Sequence, residues 1–196
     1  MIEGLLWYLN RSTGVVALVL LSITTVLGVL ALGGRAGQRL PRFVTQAVHR
    51  NVALLAVVTI VVHVVTAVAD EFVDIRWWHA LVPFTGTYER VWLGVGAVAL
   101  DLLLVVTASS LLRTRMRHGT WRALHQSAYL LWLTSILHGV GMGSDMREGL
   151  WLVTVLCAAA VPTALVWRLA RLVLDPPRTS ADTTHDAMTM PIRRIT

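Results

Sequence analysis

Five stretches of this chain, residues 15–32, 52–69, 91–112, 123–140 and 150–167, are apolar and close to the length a helix needs to cross a membrane. The hydrocarbon layer takes roughly 20 residues of helix. With 56% apolar and only 14% charged residues, and a mean hydropathy of +0.66, the composition is that of a lipid-embedded chain. A soluble domain carries nearer a quarter charged residues. The first stretch is not read as a cleaved signal, because its leader carries Glu3 and Arg11 rather than a basic cluster. The expected architecture is an all-α five-helix transmembrane bundle over residues 1–174, with 175–196 as a disordered tail. Asp175-Pro176-Pro177 would close the last helix, since proline cannot continue one.

The connecting segments set an orientation. Arg35, Arg39, Arg42 and Arg50 lie between the first two stretches, and Arg113, Arg115, Arg117 and Arg122 between the third and fourth, with no acid in either group. The alternate loops hold Asp70, Glu71, Asp74 and Glu89, and then Asp145 and Glu148. Arginine-rich loops stay cytoplasmic, which places the N-terminus outside and the C-terminus inside. The formal charge of +6 is therefore a topology signal, and no nucleic-acid partner is expected. All 17 basic residues are arginine in a chain rich in Ala, Val and Leu, which fits a GC-rich bacterial genome and a multi-pass protein of the bacterial inner membrane. The single cysteine, Cys157, has no intrachain partner and is expected to pack as a small hydrophobe.

Two of the stretches carry histidines at matched spacing. His49 and His63 are 14 residues apart, and His125 and His138 are 13 apart. At about 1.5 Å per residue, each pair spans roughly 20 Å of helix. The second and fourth helices run the same way across the membrane, so His49 meets His125 in depth near the inner surface, and His63 meets His138 near the outer one. Two facing imidazole pairs are how a membrane protein holds two stacked haems. A metal-ion transporter would gather its histidines into one coordination sphere, which pairs this far apart cannot form. Intramembrane ionisable residues are rare and usually functional. A haem-free membrane anchor or a transporter with structural histidines is the reading from a different class, and an absorption spectrum separates them. Fourteen residues return a helix to within about 40° of its starting face, whereas 13 leave it some 140° away. The fourth helix is therefore predicted to be distorted between His125 and His138. His79, His118 and His185 are expected to be solvated.

With these residues in place the chain resembles the ferric-reductase-like transmembrane domain, shared by NADPH oxidases, ferric reductases and the haem subunit of bacterial methionine-sulfoxide reductase. The likeness spans about residues 10–172. It rests on the histidine spacings, on Trp121-Arg122 before His125, and on His138-Gly139 followed by Gly141, Gly143 and Asp145. Arg11-Ser12-Thr13-Gly14 and Val82-Pro83-Phe84 add to it. The resemblance implies two b-type haems, His49 with His125 holding the inner and His63 with His138 the outer, and electrons carried singly across the membrane. Many relatives have six helices, and some carry a flavin and nicotinamide domain, for which these residues offer no segment. The implied donor is thus a separate flavoprotein or a quinol, so flavin or NAD(P)H would act only through that partner. The acceptor would be ferric iron, oxygen or an extracytoplasmic partner reductase.

Other residues follow from position. Trp132 lies between the two histidine depths and is expected to pack between the macrocycles. Arg50 and Arg122 flank the inner ligands and Arg11 opens the first helix outside; guanidinium groups match haem propionates bidentately. Asp101, halfway along the third helix, requires a partner, and Thr24, Thr25, Thr59, Thr134 and Ser135 lie at its depth. Gly94 and Ala97 share its face, where a neighbouring helix would approach. The loop over 70–90, with Trp77, Trp78, His79, Pro83 and Phe84, is expected at the outer interface.

Overall fold

The computed structural model describes residues 2–31, 42–70, 73–142 and 150–174. Within these the chain is helical, in the order α1 (Ile2–Ala31), α2 (Arg42–Ala69), α3 (Trp77–Leu81), α4 (Arg90–Leu111), α5 (His118–Gln126), α6 (Ala128–Gly141) and α7 (Trp151–Leu174). A 3₁₀ turn, Arg113–Arg115, links α4 to α5. Among the described residues four helices, α1, α2, α4 and α7, are long and apolar enough to cross a membrane. The chain is an all-helical, multi-pass membrane protein. The stretch 123–140, expected as one span, is instead shared by α5 and α6, with the break at Ser127. The expected disordered tail, His185, Gly143, Asp145, and the loop charges Arg35, Arg39, Glu71 and Glu148 lie outside the described residues.

The break has a local cause. Ser127 N–H donates to the Leu124 carbonyl at 3.1 Å, three residues back, and its hydroxyl donates to the same oxygen at 2.6 Å. Both bonds favour a 3₁₀ step over an α step. The distortion expected between His125 and His138 is therefore at Ser127, and the two histidines stand on different helices, with no single helical face to share.

Packing divides the bundle into two halves. Helix α2 lies along α1, and α4 lies along α5 and α6, while α7 covers α1. One core cluster joins Leu18, Trp132, Ile136, Cys157 and Val161, and a second joins Leu21, Ala56, Ala99, Leu103 and Leu131. Cys157 packs as the small hydrophobe it was expected to be. Leu54, Leu55, Val58, Val61 and Val62 of α2 are exposed, as suits a surface facing lipid tails. Inside the spans Thr25 donates to Leu21 O, Thr59 to Leu55 O, Thr134 to Leu130 O and Ser135 to Leu131 O, whereas Thr24 Oγ1 is buried with no hydrogen-bond partner among the described residues. None of these bonds reaches Asp101, so the pairing expected for that carboxyl is not made by these side chains.

The segment between α2 and α4 folds over one end of the bundle. Phe84, at φ 64°, turns its ring onto Gly94, where any Cβ would collide with it. Arg90 Nε fixes the turn by donating to Phe84 O at 2.7 Å. The small residue at 94 thus admits this loop rather than a neighbouring helix. Trp77 and Trp78 are exposed, as interface residues would be. His79 is not solvated: it is buried, and its Nδ1 accepts the Arg76 N–H at 3.3 Å. His118, on the first turn of α5, is exposed.

Candidate functional site

The structure brings the four histidines together in two pairs. The ring centres of His49 and His125 are 6.3 Å apart, with planes crossed at 67°. Those of His63 and His138 are 6.5 Å apart and crossed at 79°. A metal held between two imidazole nitrogens at about 2 Å each, with each ring centre roughly 1.2 Å behind its nitrogen, needs centres about 6.4 Å apart. Both pairs meet that spacing. Among the described residues no group of three or more His, Cys, Asp or Glu gathers around one point. The arrangement suits a group that takes two axial ligands and brings the rest of its own coordination.

Each imidazole is also held from behind. His63 Nδ1 is 2.9 Å from Asn10 O, His49 Nδ1 is 3.1 Å from Thr24 O, and His138 Nδ1 is 2.8 Å from Trp92 O. A carbonyl can only accept, so Nδ1 carries the hydrogen in all three, and in the neutral imidazole Nε2 then keeps its lone pair. Such a bond fixes ring orientation and tautomer, as the outer contacts of metal-bound histidines do. At the fourth position His125 Nδ1 meets Ser110 Oγ at 3.3 Å, and that hydroxyl donates its own hydrogen to Val106 O at 2.7 Å. Ser110 Oγ therefore accepts from His125.

The seats follow one rule. In an α-helix the carbonyl of residue i receives the N–H of residue i+4. The seat carbonyls are those of residues 10, 24 and 92, and residues 14, 28 and 96 are glycines. A Cβ on Gly14 would come to 3.0 Å from His63 Cε1, one on Gly28 to 3.7 Å from His49 Cε1, and one on Gly96 to 2.6 Å from His138 Nδ1. At Gly96, and less sharply at Gly14, the missing side chain is what lets the ring reach a carbonyl already used by its own helix, whereas at Gly28 a Cβ would make only an ordinary contact. The fourth seat has the same register, Val106 and Ser110, with a hydroxyl between ring and carbonyl. On α1 the seats are 14 residues apart, and on α4 also 14. The 13 residues from His125 to His138 match that length because of the break. A 3₁₀ residue rises about 2.0 Å against about 1.5 Å, so one three-residue turn makes up about one residue.

A cavity of about 300 Å³ opens beside the His63–His138 pair, lined in part by Trp7, Asn10, Arg11, Asp70 and Tyr88. Arg11 is half-buried there, its guanidinium 5.2 Å from the centre of the Trp7 ring. Asn10 contributes twice, since its side chain also donates to His63 O at 2.9 Å. At the other pair Trp121 stacks on His125, centres 5.2 Å apart and planes at 19°, with Arg113 5.1 Å from the indole centre. Arg50 and Arg122 stand exposed at this end.

Trp132 lies elsewhere. Its Nε1 donates to Ser22 Oγ at 3.1 Å within the core between α1, α6 and α7, and it is not among the residues lining the cavity. Of the motif glycines, Gly141 admits the Trp92 indole, and Gly139 faces open space. Sequence reasoning overlooked Asn10, Ser110, Gly28 and Gly96, and it named Gly14 only as part of a motif, without a role. The signal available was small residues repeating at the same 14-residue interval as His49 and His63.

Comparison with curated proteins and with solved structures found no match. The family model described as the ferric reductase like transmembrane component matches residues 13–136, a stretch that takes in His49, His63 and His125 and ends two residues before His138. That match covers more than half of the chain, which belongs to the family of ferric reductase like transmembrane components.

Proposed function

We propose that this chain is the membrane electron conduit of an oxidoreductase, with His49 and His125 as axial ligands of one b-type haem and His63 and His138 as those of a second. The observation that carries the reading is the pair spacing, 6.3 and 6.5 Å, with all four Nδ1 atoms engaged behind the rings. Bound there, each haem would supply a one-electron iron couple, which suits electron transfer. The protein's part is to hold four neutral imidazoles with Nε2 lone pairs facing inward and to keep them from rotating. Arg11, beside His63, is placed to pair with a propionate through a bidentate guanidinium contact. Arg50 and Arg122 would serve the inner haem in the same way.

The arginine-rich end, with Arg50, Arg113, Arg115, Arg117 and Arg122, faces the cytoplasm in this reading, and the end with Asp70, Asp74 and Glu89 faces outward. The proposed setting is a bacterial inner membrane, with α5 and α6 together as the fifth crossing. A separate flavoprotein or a quinol loads electrons at the His49–His125 end. Ferric iron, oxygen or a partner reductase accepts them at the His63–His138 end. An absorption spectrum of the purified protein tests the core of this. A Soret band, a reduced α band of a low-spin b haem and two haems per chain by pyridine assay are expected; a colourless protein would overturn it. Rapid reduction by NADPH alone would overturn the separate donor.

A further inference from the structure

Three of the four histidines donate directly to a backbone carbonyl, at 2.8 to 3.1 Å, and one does not. We propose that Ser110 is a positioning residue which, by standing between His125 and the Val106 carbonyl, sets the redox potential of the inner haem separately from that of the outer one. The inference rests on the bis-histidine reading above.

The chemistry lies in what accepts the Nδ1 hydrogen. A peptide carbonyl is a stronger acceptor than a hydroxyl, and the stronger the acceptor, the more electron density the imidazole passes to its metal. Greater ligand basicity stabilises the ferric state and lowers the potential, one of the levers a protein has over a haem. At Ser110 the acceptor is a hydroxyl, and the separation is 3.3 Å. The hydroxyl is not idle: its own donation to Val106 O at 2.7 Å turns its lone pairs towards His125. The seat is thus a two-bond relay from ring to carbonyl where the other three are single bonds. Position 110 has the register of Gly14, Gly28 and Gly96, four residues after a carbonyl, and that register shows what each substitution does. Ser110→Gly recreates the seat used elsewhere and lets His125 close on Val106 O. Ser110→Ala removes the hydroxyl and puts no acceptor in its place. Ser110→Thr keeps the hydroxyl. Ser110 is exposed on α4, so none of these opens or overfills a core.

The test is an anaerobic redox titration of the full chain, followed at the reduced α band, in the wild type and the three variants. One of two midpoints is expected to rise in Ser110→Ala and fall in Ser110→Gly, while the other stays fixed and Ser110→Thr leaves both in place. Each shift should change the reduced-to-oxidised ratio at a fixed poise by about three- to tenfold, the latter being about 59 mV for a one-electron couple. Loss of one haem in Ser110→Ala with retention in Ser110→Thr would also support the assignment. Unmoved midpoints in loaded Ala and Gly variants, movement of both variants in the same direction, or haem loss in Ser110→Thr would overturn it. A wild-type protein without a Soret band overturns the haem reading itself, a result distinct from loaded variants whose midpoints do not move.

Discussion

At the His63–His138 end both imidazoles rest directly on carbonyls, each beside a glycine, and a cavity containing Arg11 opens next to them. At the His49–His125 end only His49 has that seat; His125 is held by a hydroxyl on one side and an indole face on the other. The parts are the same at both ends and their stiffness is not. A carbonyl inside a helix cannot move without the helix, whereas a serine rotor and a stacked tryptophan can adjust. The end with fixed backbone seats is the more sensitive to steric change, and the end with side-chain seats the more sensitive to chemical change.

The largest effect tests the pairing itself. His63→Ala or His138→Ala is expected to remove one haem of two and to abolish electron transfer across the membrane, while the spectrum of the other haem persists. Pyridine assay and redox titration read both. A variant in which one ligand change empties both sites would show that the ends are not independent.

Next comes the steric sensitivity of the seats. Gly96→Ala puts a Cβ 2.6 Å from His138 Nδ1, which the ring cannot accept without leaving Trp92 O. Loss of such an outer contact lowers metal-group affinity by about 10- to 100-fold, and haem retention at the outer site should fall accordingly. Gly14→Ala, at 3.0 Å from His63, should act in the same direction with a smaller loss. Gly28→Ala, at 3.7 Å from His49, is an ordinary contact and should leave the inner haem in place. Equal damage from Gly28→Ala and Gly96→Ala would erase the distinction between the ends.

Trp121→Leu probes the softer end. It removes a stacked partner of His125 worth about 0.5–1.5 kcal/mol, enough to loosen the inner site by roughly three- to tenfold but not to empty it. Thermal release of haem, followed in the Soret region, should show the inner component shifting and the outer one unchanged.

Much of this was legible in the sequence. Apolar length gave the membrane class, alternating arginine and acid gave matched depths for the histidines, and the awkward 13-residue interval marked the fourth stretch as distorted. The seats were harder to see, because a glycine's role depends on what arrives from another helix. Gly94 and Gly96 are two residues apart and so lie on nearly opposite sides of α4; one receives Phe84 and the other His138. Nothing in Gly94-Val95-Gly96 says which is which. Asp101 and Trp132 were placed by depth, and depth leaves rotation about the helix axis undetermined. Trp132 proved to point at Ser22, and Thr25, Thr59, Thr134 and Ser135 bond to their own helices instead of Asp101.

The smallest effect on either haem should come from the contact between Trp132 and Ser22, which lies between the two ends and touches neither pair. Ser22 repeats the relay of Ser110: its hydroxyl donates to Leu18 O at 2.8 Å and accepts from Trp132 Nε1 at 3.1 Å. Here the relay serves packing. Ser22→Ala leaves a buried indole N–H unsatisfied, at a cost of about 1–3 kcal/mol to the stability of the bundle. The buried apolar neighbours in that core, Leu18, Ile136 and Val161, have no side-chain acceptor for that hydrogen. Ser22→Ala is therefore expected to lower the unfolding midpoint while leaving haem stoichiometry and both potentials as they are. Trp132→Phe, which deletes the donor and keeps most of the ring, should lose less stability than Ser22→Ala. A change of potential in either variant would place Trp132 in the electron path after all, and the difference between the two ends would then extend through the middle of the protein.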